Sequence, residues 1–144
     1  MQNFEIKNRY AVRIPLDADL YESIQNFCVA KNILNGRFTG TGTLKSAVLS
    51  FFRQVEKDSV LNKIQKPLEM IHLAGNISEK NGVPVIYGKM MVVDSTSKVS
   101  GGHFEPGTKA FNAEIFIDEF SGIDMHREYD SSTGLSIWPK TLTI

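Results

Sequence analysis

The chain has 144 residues, of which 42% are hydrophobic and 22% charged, and its formal net charge at pH 7 is zero. This composition excludes a disordered chain and predicts one globular domain over residues 1–144. The single cysteine excludes an internal disulfide framework. No apolar run approaches the roughly 20 residues that span a bilayer, and the charged N-terminus does not resemble an export signal. We therefore expect a cytoplasmic protein with no membrane partner.

The charges are unevenly distributed along the chain. Residues 1–66 carry ten Lys/Arg and six Asp/Glu, whereas residues 67–144 carry six and ten. Nucleic-acid binders usually have an overall basic surface, which this composition lacks. The asymmetry indicates either self-association through complementary surfaces or two solvated faces.

The N-terminal third predicts strand, helix and strand. The stretch RYAVRIPL alternates apolar and polar residues, which is typical of a half-buried strand that ends at its proline. The next stretch, DADLYESIQNFCVAKN, has helical spacing, with Asp17 or Asp19 as its N-cap and Glu22 completing a capping-box pattern with Asp19. The β-branched stretch GRFTGTGTLKSAVLSFFRQ predicts a strand, with bulges or coiling at Gly40 and Gly42.

From Lys66 onward the chain predicts strands and turns. The strands are PLEMIHLAGNIS, PVIYGKMMVVD, VSGGHF, KAFNAEIFIDEF, HREYD and LSIW, separated by turns such as Asn81-Gly82. One principal N-terminal helix and an antiparallel sheet meander form an α+β domain. The apolar residues of this sheet exceed what one helix covers, so we expect sheet packing within the chain or between subunits. These residues include Val92, Val93, Phe111, Ile115 and Ile117.

The order of these segments resembles the plants-and-prokaryotes-conserved (PPC) domain family, of the stand-alone prokaryotic type. The resemblance covers nearly the whole chain, and its most specific pieces are GNIS, GGH and TGL. It implies an antiparallel α+β domain, similar in fold to acetolactate decarboxylase, that assembles into a homotrimer. In plants the domain follows AT-hook segments, and prokaryotic members are often labelled DNA-binding. The signature residues here are Gly75, Asn76, Gly101, Gly102 and Gly134.

Family members commonly carry a His-x-His pair after the Asn-Gly turn and a third histidine in Gly-Gly-His. Residues i and i+2 of a strand point to one face, so three such imidazoles suit a catalytic zinc. Here the pair is replaced by Tyr87 and Lys89, and only His103 remains. Because an ammonium repels a divalent cation, we expect no zinc and no other cofactor, with His103 as the one retained candidate ligand.

Two interpretations of the substituted positions stay open. Lys89 supplies the positive charge of the missing metal and, with Tyr87, His103 and Glu105, binds a carboxylate or phosphate ligand. Alternatively, Lys89 forms a structural ion pair with Glu105 or Glu114, which is the interpretation we favour.

The remaining polar candidates have structural interpretations. We expect His72 to be a hydrogen-bonded structural histidine, His126 to be exposed, and neither to converge on His103. Cys28 lies beside the apolar stripe of the helix, which favours a buried thiol over a nucleophile.

Three further features favour structure over chemistry. Lys45 and Ser46 follow a glycine-rich stretch but lack the spacing of a phosphate-binding loop. Glu114 and Asp118 are about 13 Å apart along an extended strand, so they and Glu119 are expected to be solvated or interface charges. Trp138 is expected near the subunit surface. None of these three features therefore predicts a catalytic site.

Three functions remain as hypotheses. We favour a homotrimeric binding or assembly module without catalysis, whose partner is itself. The alternatives are a DNA-binding regulator, as the family is often labelled, and a small-ligand or degenerate metal site at Tyr87, Lys89 and His103.

Overall fold

The computed structural model describes residues 3–143. Within these residues no helix is both long and apolar enough to cross a bilayer. The elements, in chain order, are β1 (Glu5–Ile14), α1 (Leu20–Lys31), β2 (Gly36–Arg53), β3 (Asp58–Ile64), β4 (Leu68–Lys80), β5 (Val83–Val93), β6 (Val99–Phe104), β7 (Lys109–Ser121), β8 (Glu128–Asp130), β9 (Leu135–Ile137) and a 3₁₀ turn (Lys140–Leu142).

The main sheet is antiparallel and closes on itself around β2. Strands β7 and β6 follow one edge of β2, and β4 and β3 follow the other edge. Strand β5 pairs with β4 on one side and with β6 on the other. Strands β2, β4, β5 and β6 therefore form a closed ring, and β1 extends the sheet beyond β7.

A register shift lies where the sequence predicts a bulge, but the extra residue is on β4 and not on β2. Thr41, between Gly40 and Gly42, stands opposite two β4 residues, Ile71 and His72. A side chain at Gly42 would meet the backbone of Ala113 on β7 at 2.6 Å. The two strands thus approach so closely that only glycine fits at this bend.

The helix begins where the capping pattern predicts. Asp19 is the N-cap, and its carboxylate accepts a hydrogen bond from the Glu22 amide at 3.1 Å. Asp17 instead binds the Lys45 ammonium at 2.5 Å. Cys28 is fully buried on the inner face of the helix, and this burial raises the pKa of its thiol to about 12, so the prediction of a buried thiol is confirmed.

Closure of the sheet buries most of the apolar residues that one helix does not cover. Val92, Ile115 and Ile117 are at most 1% exposed, because the ring has an inner face on which α1 also packs. Packing within the chain is therefore sufficient for these three. Val93 is half-buried, and Phe111 remains 57% exposed.

Strand β3 was not predicted from the sequence. Its segment, DSVLNKI, has no clear alternation, and its side chains are nearly all exposed. It pairs only with the second half of β2, so the two form a ribbon that ends at Val55, which is 90% exposed. The Lys57 ammonium near this tip donates a hydrogen bond to the Ser131 carbonyl at 2.7 Å.

The charge asymmetry is largely neutralised between β-strands of the same chain. Lys7 pairs with Glu119 at 2.7 Å, and Arg37 and Arg9 pair with Asp118 at 2.8 and 3.6 Å. Glu119 is only 5% exposed. The expectation of a solvated charge was wrong for Glu119, whose carboxylate is bound by Lys7, Asn8 and Tyr10. Asp118 is half-buried opposite Arg9 on β1 and Arg37 on β2, and an interface role for it stays a prediction.

We predict that Gly102→Ala destabilises the protein by about 1–3 kcal/mol, since a Cβ there would lie 2.7 Å from the Ser50 carbonyl oxygen and force β6 away from β2. Gly101→Ala is the matched control, because its Cβ would meet its nearest neighbour, the Met90 carbonyl oxygen, only at 3.3 Å. Urea denaturation of both variants measures the two free energies of unfolding. Equal losses would contradict the close approach at Gly102.

Candidate ligand-binding site

Strand β5 places Tyr87 and Lys89 on one face. Ile86, Gly88 and Met90 point into the ring and are buried, so the residues between them project outward. No side chain is tolerated at Gly88, where a Cβ would lie within 3 Å of two phenylalanine rings of the core. The inward packing of β5 therefore fixes the direction of both outward side chains.

The neighbouring strand brings His103 to the same place. His103 on β6 lies opposite Lys89 on β5 and opposite Ser50 on β2, at the point where the ring closes. Its imidazole centroid is 4.2 Å from that of the Tyr87 ring. The structure thus assembles the three sequence-predicted side chains, while their role in binding a ligand stays a prediction.

His103 is half-buried, and its Nδ1 atom is fully buried without a hydrogen-bond partner among residues 3–143. Burial lowers the pKa of its imidazole below the usual 6.5, and the positive charges of Lys89 and Arg127 act in the same direction, while Glu105 opposes them. The imidazole is therefore neutral at neutral pH.

The ion pair that the sequence favoured does not form. The Ser50 hydroxyl donates to the Glu105 carboxylate at 2.6 Å. Glu114 lies on β7 opposite Arg13, several strands away from β5. Lys89 is exposed, and within the described residues it makes no ion pair with either glutamate. The structural interpretation of Lys89 was wrong. The closed sheet separates Glu114 on β7 from β5, and Glu105, which lines the same cavity as Lys89, is bound by Ser50 instead.

Arg127 also belongs to this cluster, which the sequence analysis did not predict. Its guanidinium carbon lies 4.6 Å from the centroid of the Tyr87 ring, within the range of a cation–π contact. Nη1 donates to the Ser136 carbonyl at 2.7 Å, and Nη2 donates to Asn76 Oδ1 at 2.8 Å. Burial lowers the pKa of Arg127, but an arginine keeps its charge at neutral pH. No sequence spacing links Arg127 to β5, so only the fold reveals it.

Two cavities open at Tyr87. One, of about 440 Å³, is lined by Lys89, His103 and Glu105. The other, of about 410 Å³, is lined by Arg127 and residues that follow it. Tyr87 and Leu135 contribute to both.

The residues present do not fit the three-histidine zinc site that the family resemblance implies. The positions of the histidine pair hold a phenol and an ammonium, and the ammonium lies directly opposite the one remaining imidazole. Within residues 3–143 no group of three histidine, cysteine, aspartate or glutamate side chains is placed to hold a metal ion. This position thus lacks the imidazole pair that such a zinc site requires.

The other two histidines do not reach this site. His72 is exposed at a bulge of β4 that faces Met91, so the expectation of a hydrogen-bonded structural histidine was wrong. His126 is half-buried rather than exposed, because its ring lies 2.9 Å from carboxylate oxygens of both Asp124 and Glu128. These two carboxylates raise the pKa of His126.

The glycine-rich stretch before Lys45 is a structural bulge. Lys45 and Ser46 lie within β2, and no helix follows them to offer free amides to a phosphate. Trp138 is 41% exposed near the surface, as predicted, and its indole Nε1 donates to the Ser78 hydroxyl at 3.0 Å.

Residues 1–121 match the model of the Plants and Prokaryotes Conserved (PCC, also PPC) domain. A metal-containing protein from Archaeoglobus fulgidus is similar with a TM-score of 0.91 and 29% identity, over 96% of this chain and 98% of its own. A PPC protein from Pyrococcus horikoshii is similar with a TM-score of 0.90 and 30% identity, over 95% and 94%. A candidate DNA-binding protein from Bacteroides thetaiotaomicron has a TM-score of 0.85 and 26% identity, over 96% and 97%.

The predicted fold class is confirmed. Besides these similarities, a Staphylococcus aureus protein described as similar to alpha-acetolactate decarboxylase matches with a TM-score of 0.55 and 15% identity, over 86% of this chain and 56% of its own. This likeness concerns the fold alone. The chain matches none of the curated proteins.

We predict that Lys89→Met raises the pKa of His103, because the variant removes a positive charge that disfavours the imidazolium. Glu105→Gln should lower the pKa of His103, since the variant removes a carboxylate whose negative charge favours the protonated imidazolium. Titration of the imidazole C–H signals by NMR measures both shifts, with Lys63→Met on the exposed ribbon as the matched control. An unchanged pKa in both site variants would show that the cleft is open to bulk solvent.

Proposed function

This chain belongs to the PPC domain family, and on that basis we propose that it is a homotrimeric binding protein without catalytic chemistry of its own. The observation that carries the proposal is an apolar stripe on the outer face of the sheet. We define the outer face as the side of β1, β7, β2 and β4 that points away from α1. A single subunit leaves this face open to solvent.

The stripe crosses four strands in register. Ala11 on β1 pairs with Phe116 on β7, Phe116 pairs with Thr39 on β2, and Thr39 pairs with Ala74 on β4. Phe116 is 62% exposed, and the small side chains around it leave a flat surface. Flat surfaces of small and aromatic residues allow close packing between sheets.

Two further exposed apolar side chains lie on β4 and β5 beyond the stripe, whose last member, Ala74, pairs with the charged Lys89. Ile71 on β4 and Met91 on β5 are 48% and 44% exposed. Helix α1 does not cover them, because its apolar residues pack on the inner face of the ring. Full burial of a side chain of this size contributes about 1.5–3 kcal/mol, so a closed cyclic assembly that covers the outer face is favoured.

DNA binding is a second candidate, supported by the similarity to the Bacteroides thetaiotaomicron protein described as a candidate DNA-binding protein. The charges of this chain give it less support. Arg9 and Arg37 on the outer face share one carboxylate, that of Asp118, so the three groups keep only a small net positive charge, and the net charge of the chain is zero. A gel-shift titration at low and moderate salt tests it, and absence of binding at low salt would exclude it.

We predict that the protein elutes as a trimer, with a mass by light scattering three times the 16.1 kDa of the chain. Phe116→Asp should shift the species toward the monomer, because it places a charge in the centre of the stripe. Val55→Asp at the tip of the ribbon is the matched control, since Val55 is even more exposed but lies away from the outer face.

A light-scattering mass equal to that of one chain for the wild-type protein would contradict the proposed trimer. Dissociation caused by Val55→Asp but not by Phe116→Asp would move the interface from the outer face to the ribbon. Circular dichroism of both variants shows whether the monomer remains folded.

A further inference from the structure

The cavity next to Arg127 has a charged end and an apolar body. Arg127 supplies the charge, and aromatic and aliphatic side chains make up most of the remaining wall. Its volume of about 410 Å³ lies within the range of small-molecule sites, roughly 300–1,000 Å³. Most of the wall comes from residues after 121, beyond the part of the chain that matches the family model. The apolar members are Tyr87, Leu135, Ile137, Trp138, Pro139 and Leu142.

Among residues 3–143, Arg127 has no carboxylate as a counterion. Its partners are neutral: the Asn76 amide oxygen, the Ser136 carbonyl and the Tyr87 ring. Its Nε atom is fully buried and has no hydrogen-bond partner among residues 3–143, and no carboxylate of those residues forms an ion pair with it. Charges removed from water are normally paired with an opposite charge, so this guanidinium is incompletely compensated.

The positive group is also held in place before any ligand arrives. The Trp138 indole donates to the Ser78 hydroxyl at 3.0 Å, and that hydroxyl donates to Asn76 Oδ1 at 2.8 Å. The same oxygen accepts from Arg127. This chain of hydrogen bonds fixes the aromatic wall and the cationic end together, which lowers the ordering cost of binding.

The cavity on the other side of Tyr87 is less suited to hold an anion firmly. Lys89 there is exposed, and Glu105 contributes a negative charge to the same cavity. Among the described residues that line the Arg127 cavity, none has an acidic side chain. The apolar wall and the half-buried guanidinium favour this side for a ligand that carries both kinds of group.

We propose that the cavity formed by Arg127, Tyr87 and Trp138 binds a small organic anion, whose carboxylate or phosphate oxygens accept hydrogen bonds from the Arg127 guanidinium while its apolar body packs against Trp138 and Leu135. A guanidinium presents parallel N–H groups that match both kinds of oxyanion. The site is complete within one subunit, so it is independent of the proposed trimer and goes beyond it.

The fluorescence of Trp138, the only tryptophan of the chain, reports occupancy of the cavity. The probes are benzoate, phenyl phosphate and the neutral benzyl alcohol, each titrated into the wild-type protein. We expect a saturable change with at least one of the two anions, and binding of benzyl alcohol about tenfold weaker or more. Saturation by benzoate alone assigns a carboxylate ligand, and saturation by phenyl phosphate alone assigns a phosphate ligand.

Arg127→Gln should weaken binding of the favoured anion about tenfold or more while leaving benzyl alcohol unchanged. Arg13→Gln on the exposed outer edge is the matched control, because it removes the same charge far from the cavity. Equal effects of the two variants, or equal binding of the three probes to wild-type protein, would overturn the proposal. The wild-type comparison holds even if Arg127→Gln fails to fold, and light scattering of the same samples tests the trimer separately.

Discussion

Strand β2 forms hydrogen bonds along both edges over 18 residues, with β7 and β6 on one side and β4 and β3 on the other. Backbone groups removed from water need partners, and β2 satisfies them only if four other strands line up along it. The strand approaches β7 closely at Gly42, and its second half pairs with β6. Because the ring then has an inner and an outer side, the same strand determines which side chains form the core and which remain available for contacts.

The candidate site lies at the seam of this ring. His103 is the residue of β6 that faces β5 and β2 at once, so any group that packs on it is placed by three strands. The His103 imidazole centroid and the Arg127 guanidinium carbon lie at similar distances, 4.2 and 4.6 Å, from the centroid of the Tyr87 ring. The tyrosine is a shared wall of two chemically different cavities. Where the family resemblance implies a metal, this chain gathers organic cations.

Short-range sequence patterns were sufficient to predict much of the fold. The Asp19 cap and the Asn81-Gly82 turn, whose φ angles are 53° and 78°, follow from short-range chemistry that the sequence shows directly. Ring closure, strand β3 and the place of Arg127 depend on contacts between residues far apart along the chain. Pairing register is set by total packing, so a weakly alternating strand such as β3 carries no local signal. The incorrect prediction of an ion pair for Lys89 also depends on long-range contacts, because the sequence does not show which strands are neighbours.

Strand β1 pairs with β7. The backbone groups of β1, near the start of the chain, therefore form their interstrand hydrogen bonds only after the residues up to 121 have been synthesised. Translation proceeds at about 5–20 residues per second, and the nascent β1 is therefore without its partner for several seconds. Until then the half-buried Tyr10 and Val12, together with the inner side of α1, have only local contacts. The order of strands thus makes completion of the sheet a late event of synthesis, because β1 joins the sheet only when β7 is available to pair with it.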